Sequence, residues 1–334
     1  MYLIMKAWFL VQINNIENNP LELKRLKLRN LMNNEVLIRL KEIGICEIDI
    51  DLIEGHALRF GYPSKKGIIP GHEAIGVVEK VGDGVEEFKK GDIAGISMLY
   101  SACGKCDKCL SGEENACSNL IITGEKIDGC FSEYFIGKAN FIYKIPNEIN
   151  EIAILTLCNL PLAYKSLKLS LKNLNDKIAI YGLNIFSFLT IQICKIFNID
   201  YEMIILSEKE KEKLSKIFSE INLREIKEIK ENYYDSLILF EVDENYYKLI
   251  KSIKFKGKII NSTIKPIFLP PLFEGKEVIL TGIPKRNEIM EIQRLKFLKK
   301  ITFSKKSYKF EKLNEALLHL KLNKELEKIV VTVP

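Results

Sequence analysis

Several absences narrow what this chain of 334 residues can be. No apolar stretch approaches the roughly 20 residues that a membrane-spanning helix requires, so no membrane partner is expected. The opening "MYLIMKAWFLVQ" has one lysine and no small-residue cleavage site, and polar "NNIENN" follows at once. A strand is expected there rather than a signal peptide, which makes the cytoplasm the default location. A basic face interleaved with aromatics is also missing. The 50 basic and 44 acidic residues, a net charge of +6, fall mostly in mixed runs such as "SEKEKEKLSKIF" that read as solvated helix faces. Nucleic acid is therefore not an expected partner. Internal repeats and low-complexity linkers are absent as well. Glutamine is scarce beside Lys, Glu and Ile, a bias found both in thermophiles and in AT-rich genomes.

What is present has two textures. Residues 1–148 carry short alternating or apolar runs broken by Gly, Pro and Asn, among them "NEVLIRLKEIGI", "EAIGVVEKVGDGV" and "CFSEYFIGKANFIYKIP". That pattern predicts an all-β domain of short strands. From residue 149 strands and amphipathic helices alternate: "KIAIYG" before "FSFLTIQICKIF", "YEMIILS" before "EKEKEKLSKIFSEI", "DSLILFEV" before "ENYYKLIKSIKF", then "GKIINST" and "KEVILTGI". A βαβ series of this kind implies an α/β half with a doubly wound parallel sheet over residues 149–284. A helix over 286–300 and the ending "LNEALLHLKLNKELEKIVVTV" close the chain.

Eight cysteines in a chain expected in the cytoplasm suggest metal binding more than disulfides. "CGKCDKCLSGEENAC" places Cys103, Cys106, Cys109 and Cys117 in a C-x2-C-x2-C-x7-C array. Four thiolates complete a tetrahedral shell with no place for water, the form of a structural zinc site. Iron–sulfur ligation uses related spacings and is the competing reading; the distant fourth cysteine in a polar loop favours zinc. Three further candidates lie far apart: Cys46 in "GICEID", His72 in "IIPGHEAIG" and Cys158 in "LCNLPLAY". Singly, each is explained as core or as a satisfied polar residue. Cys130, in "CFSEYF", and Cys194, on an apolar helix face, keep that plain explanation.

Taken together, these residues resemble the zinc-dependent medium-chain dehydrogenase/reductase family, the zinc-binding alcohol dehydrogenases, over nearly the whole chain. The family's G-x-C-x-[ST]-D motif matches Gly44, Cys46 and Asp49, and its G-H-E matches Gly71, His72 and Glu73. The segment opening the helix ahead of the cofactor domain matches Cys158 through Tyr164. "TGEKIDGCFSEY" is similar to a motif of one zinc-binding subgroup, with Cys130 replacing a glycine. The resemblance implies a GroES-like β domain holding two zinc ions, a Rossmann domain, and a C-terminal return, 285–334, to the first domain. It implies a catalytic zinc on Cys46, His72 and Cys158, with Asp49 and Glu73 orienting the ligands and Glu73 also an exchangeable ligand. A structural zinc on Cys103, Cys106, Cys109 and Cys117 and an NAD or NADP cofactor complete the expectation. The implied reaction is hydride transfer between the nicotinamide and an alcohol or aldehyde. The implied assembly is a homodimer or homotetramer, with "KEVILTGI" as a sheet edge for pairing.

This sequence departs from the family pattern in three places. Ile48 stands where a Ser or Thr hydroxyl takes the alcohol proton, and Asp51 stands where many relatives carry histidine; His56 nearby is the candidate substitute. In "YGLNIFSF", Gly182 keeps the first glycine of the dinucleotide fingerprint, but Asn184 and Ser187 replace the second and third. Asn184 is expected to project toward the pyrophosphate, with left-handed backbone angles and donation of its amide to a phosphate among its options, and small Ser187 is expected to serve in the third glycine's place. Just past the next strand, Glu208 is a candidate for the adenosine ribose, with Ser207 and Lys209 as candidates for a 2′-phosphate. Helix capping accounts for Glu208 equally well. Two rivals follow: a zinc-stabilised relative that has lost its cofactor, and a reductase of other carbonyls.

Overall fold

The computed structural model describes residues 3–56, 66–173, 175–268, 275–323 and 326–334. They form two compact units: residues 1–158 joined by 285–334, and residues 159–284.

In the first unit, strand Glu35–Gly44 is the hub. It pairs with Ala74–Val81 on one side, and along the other with Tyr134–Lys138 and then Lys328–Thr332. The sheet runs on through Ile93–Ile96 to Tyr143–Lys144 at one end and to Lys305–Lys309 at the other. Its inner face carries Val36, Ile38, Leu40 and Ile43, all fully buried, against Phe131, Phe310, Ile329 and Val331. Most of these pairings are antiparallel, as the alternation of the first 148 residues predicts. The texture change at 148 is not the unit boundary. The 3-10 turn Ala153–Leu157 has every residue buried and packs on strands Ala74–Val81 and Ile93–Ile96, so the first unit extends to Cys158.

The second unit is a six-stranded parallel sheet. Its order is Leu223–Glu225, Tyr201–Ile205, Ile178–Tyr181, Tyr234–Leu239, Ile253–Asn261, Glu277–Leu280. In chain order that is third, second, first, fourth, fifth, sixth, the Rossmann arrangement. The strand order reverses at the first strand, which Gly182 directly follows. The outermost strand, Glu277–Leu280, carries Leu280 at 70% exposure.

Two local expectations are corrected. The helix over 286–300 is two pieces, Arg286–Ile292 and a 3-10 turn Lys296–Lys300. Leu295 between them is extended, which redirects the chain so that Phe297 and Leu298 are buried. Cys130 lies in a bend before strand Tyr134–Lys138 rather than within a strand, although it is fully buried as core. Cys194 is likewise fully buried.

A buried acid ties the parallel sheet together. Glu202 accepts from Arg224 Nε and Nη2 at 3.1 and 2.9 Å and from the Tyr234 hydroxyl at 2.5 Å, with Lys177 Nζ 3.2 Å away. Burial alone would raise this carboxyl, but Arg224, Tyr234 and Lys177 hold it down to about 2. A depressed acid lends stability above its unfolded pKa and loses it as the pH falls toward the folded one. Glu202→Gln should therefore flatten the acid limb of stability between about pH 5 and pH 2, and cost on the order of 2 kcal/mol at pH 7. Urea unfolding at pH 7 and pH 3 reads both; equal pH dependence in the two proteins would refute the assignment.

Candidate metal centres and cofactor turn

Three elements of the first unit converge on one small volume. Cys46 follows the hub strand and sits, extended, just ahead of helix Glu47–Ile53. His72 follows Pro70 and Gly71 at the entry to strand Ala74–Val81, and Cys158 ends the 3-10 turn Ala153–Leu157. Their sulfur and ring-nitrogen atoms lie within 4.8 Å of one another, and all three residues are buried. His72 Nε2 is 3.4 Å from Cys158 Sγ. A tetrahedral zinc with bonds of about 2.3 Å to sulfur and about 2.0 Å to nitrogen needs donor separations of roughly 3.5–3.8 Å. The donors present fit such an ion in type and spacing.

Fully buried Asp49 organises two of these ligands. One carboxylate oxygen is 2.8 Å from His72 Nδ1 and the other accepts from the backbone N–H of Cys46 at 3.1 Å. The Nδ1 contact leaves Nε2 facing the two sulfurs. Protons are unevenly shared within the cluster. A hydrogen bond from Cys158 is the main cause holding the Cys46 thiol far below its ordinary range, and Cys158 is pushed correspondingly up. Burial works against a charged His72, yet Asp49 and Cys46 hold its pKa well above the usual imidazole range. A metal ion takes the place of these protons when it binds.

Glu73 adds a feature that the sequence reading missed. Its Oε2 lies 2.5 Å from Lys328 Nζ, with both residues essentially inaccessible, while its Oε1 has no hydrogen-bond partner among the described residues. Lys328 also donates to the carbonyl of Ile45 at 3.4 Å. Gly44 makes room for this pair: a Cβ there would come within 2.5 Å of Glu73 Oε2 and 3.0 Å of Lys328 Cε. The only signal in the sequence is a lysine opening the apolar strand Lys328–Thr332, which reads by default as a strand terminus.

Ile48 is half-buried in the first turn of helix Glu47–Ile53. His56 is 54% exposed, 3.3 Å from Asp51 and 3.7 Å from Glu54. Residues 57–60 of "EGHALRF" lie outside the described residues.

The four-cysteine array closes on itself around the short helix Asp107–Leu110. Its sulfurs lie within 4.8 Å of one another, with Cys103–Cys109 and Cys106–Cys117 both at 3.9 Å. These separations match the edges of a zinc tetrathiolate, about 3.8 Å. Backbone N–H groups of Lys105 and Cys106 hold Cys103 down to about 6, whereas burial raises Cys109 to about 12. Lys285 and Arg286 grip the lobe from the C-terminal segment, through Glu113 at 3.2 Å and Glu114 at 3.6 Å.

In the second unit, Gly182 has φ +101°, and a Cβ on it would meet the Cβ and backbone nitrogen of Glu241 at 2.7 Å. Only glycine fits this turn. Asn184 is not left-handed: at φ −156° and ψ −176° it is extended, a conformation open to any residue. Its Oδ1 accepts from the backbone N–H of Phe186 at 3.1 Å and of Ser187 at 3.2 Å, and its Nδ2 donates to the carbonyl of Phe240 at 3.2 Å. Ser187 Oγ accepts from the Asn184 backbone N–H at 3.1 Å, and the Phe186 ring stacks on Phe240 at 5.9 Å. The N–H groups that would meet a pyrophosphate at the start of helix Ile185–Phe197 are thus already taken. In this form the turn does not fit a dinucleotide phosphate. Glu208 opens helix Glu208–Ser215, exposed, with its carboxylate 3.0 Å from Lys211, and Ser207 caps that helix.

Comparison with known proteins bears on these observations. The family model for the alcohol dehydrogenase GroES-like domain matches residues 32–147. An alcohol dehydrogenase of Geobacillus stearothermophilus is 30% identical over 288 residues, 81% of this chain and 84% of that protein. A second alcohol dehydrogenase from that organism is 35% identical over 199 residues, 59% of this chain and 57% of the other. Among solved structures, acetophenone reductase from Geotrichum candidum in complex with NAD superposes with a TM-score of 0.84 at 21% identity, covering 98% of this chain and 97% of that one. A thermostable alcohol dehydrogenase from Pyrobaculum aerophilum gives a TM-score of 0.85 at 20% identity, covering 99% and 100%. At such identities the structures speak for the fold alone. Sequence likeness over most of its length makes the chain a member of the zinc-type medium-chain alcohol dehydrogenase family.

Proposed function

We propose that this protein is a zinc-dependent oxidoreductase that transfers a hydride between a nicotinamide cofactor and an alcohol or aldehyde, with Cys46, His72 and Cys158 as its reactive-site ligands. The observation that carries this reading is the buried set of three donors, two thiols and an imidazole, beside a carboxylate engaged elsewhere. Three protein ligands leave a tetrahedral ion one place for substrate or water. When bound, the zinc supplies Lewis-acid polarisation of the substrate oxygen and the nicotinamide supplies or accepts the hydride.

The chain's own groups prepare that chemistry. Asp49 holds the His72 ring with Nε2 toward the sulfurs, and burial of all three ligands excludes bulk water. Ile48 offers no hydroxyl, so the alcohol proton leaves by another route than a side chain at that position. The four-cysteine array takes the second zinc and shapes its lobe. One observation favours a relative without cofactor: the capped turn at Asn184.

Zinc content together with NADH and NADPH titration of the purified protein tests the reading. We expect about two zinc per chain and saturable binding with a Kd on the order of micromolar. About one zinc and no saturable binding of either nucleotide would overturn it.

A further inference from the structure

We infer that Asn184 is a built-in competitor of the cofactor's pyrophosphate, and that dinucleotide affinity in this protein is set by displacement of its side-chain amide. The inference rests on the nicotinamide reading above and concerns how that cofactor gains access to its turn. The first N–H groups of a helix point outward with no partner in the helix, and together with the helix dipole they favour an anion. Here the Asn184 carbonyl oxygen bridges two of them, at Phe186 and Ser187. Its amide nitrogen is tied to Phe240 on the neighbouring strand end, so the group is held at both ends rather than swinging freely. Asn184 is only 8% exposed, and Leu183, Ile185 and Phe186 around it are buried. A phosphate oxygen and the Asn184 oxygen therefore seek the same two donors.

The backbone does not require asparagine. Its extended angles suit any residue, and the turn is separately held by Ser187, whose Oγ accepts from the Asn184 backbone N–H at 3.1 Å and donates to the Asn184 carbonyl at 2.9 Å. Glycine is nearly as good an N-cap as asparagine, so Asn184→Gly removes the competing amide while keeping the turn. It frees two N–H groups for charge-assisted bonds to phosphate, which are stronger than the neutral bonds they replace.

The test is titration of the full-length protein and of Asn184→Gly with NADH, ADP-ribose and adenosine, by calorimetry or nicotinamide fluorescence. We expect NADH and ADP-ribose to bind the variant about tenfold more tightly or better, with adenosine, which has no phosphate, little changed. Asn184→Ala, which also frees both donors, should move in the same direction and serves if the glycine variant does not fold. Unchanged or weaker ADP-ribose binding in the folded variant overturns the inference, as does an equal gain for adenosine, which would mean only that space was opened. If the native protein and variant bind NADH equally well, the nicotinamide reading stands and this inference falls. If neither protein binds NADH or NADPH, the nicotinamide reading falls and carries this inference with it.

Discussion

Cys158→Ser lowers kcat/KM by about a thousandfold or more and removes one zinc per chain, while the four-cysteine lobe keeps its own ion. The size follows from what the ion supplies. Polarisation of a reacting oxygen by a bound metal contributes several kcal/mol to the transition state, and each 1.36 kcal/mol is a factor of ten in rate. Cys158 is one of only three donors in its cluster, and a serine hydroxyl is a poor substitute for thiolate. With two donors left, the cluster no longer holds an ion tightly. The lobe at 103–117 shares no ligand with this cluster, so its fold is untouched. Cys106→Ser is the contrasting case. It breaks a closed shell in a segment where Cys103, Cys106 and Cys109 are only half-buried and little apolar packing can stand in for the ion. Limited proteolysis within residues 103–117 should be fast in Cys106→Ser and slow in Cys158→Ser. If the two variants lose the same zinc and the same protection, the division into a reactive and a structural centre is wrong.

Lys328→Met destabilises the protein by about 3–5 kcal/mol, and the double variant Glu73→Gln/Lys328→Met regains most of that loss. Removing one member of a buried ion pair strands the other, and Glu73 Oε1 has no hydrogen-bond partner among the described residues to take over. Burial pushes Glu73 from its ordinary value near 4.5 up to about 7, against the pull of Lys328. A raised carboxyl favours the fold while protonated, so its stabilising contribution is complete below about pH 4.5 and is lost as pH rises through about 7. Without Lys328 the carboxyl shifts further up, and the single variant should lose stability with a steeper slope between about pH 5 and pH 8 than the native protein. The double variant, with no charge at either position, should be nearly flat there. Urea unfolding of the zinc-free protein across that range checks all three. A loss under about 1 kcal/mol in the single variant, the size of an exposed pair, would show that Lys328 is not sealed in.

How much of this was legible in the sequence differs from residue to residue. Cys46, His72 and Cys158 were legible as ligand candidates only through their joint resemblance to a family pattern, since singly each has a plain explanation and only the fold brings them within 4.8 Å. The parallel sheet was legible through its alternating strands and helices. Lys328 was not legible, because nothing in "EKIVVTV" says that the strand's first side chain points at Glu73, 255 residues away in the chain. The break at Leu295 was hidden for a related reason: helical spacing persists through residues 286–300, and tertiary burial of Phe297 and Leu298 overrides it. At Asn184 the left-handed angles that the residue type allows are not used. Its side chain caps the helix from an extended backbone and bonds the N–H groups of Phe186 and Ser187.

The order of strands in the first unit also constrains the order in which the protein comes into being. Strand Lys328–Thr332 lies inside the sheet, between Lys305–Lys309 and Glu35–Gly44. On the ribosome, residues 42–44 must therefore wait for residues 330–332 before that edge of the sheet is paired, and residues 159–284 are made in the interval. The Rossmann unit completes itself first, and the β unit that emerged first is finished last. During that wait Glu73 lacks its cation, and residues 42–44 of the hub strand lack their strand partner, while residues 35–39 can already pair with 134–138. That short edge is where the nascent chain is open to misassociation until residues 330–332 arrive.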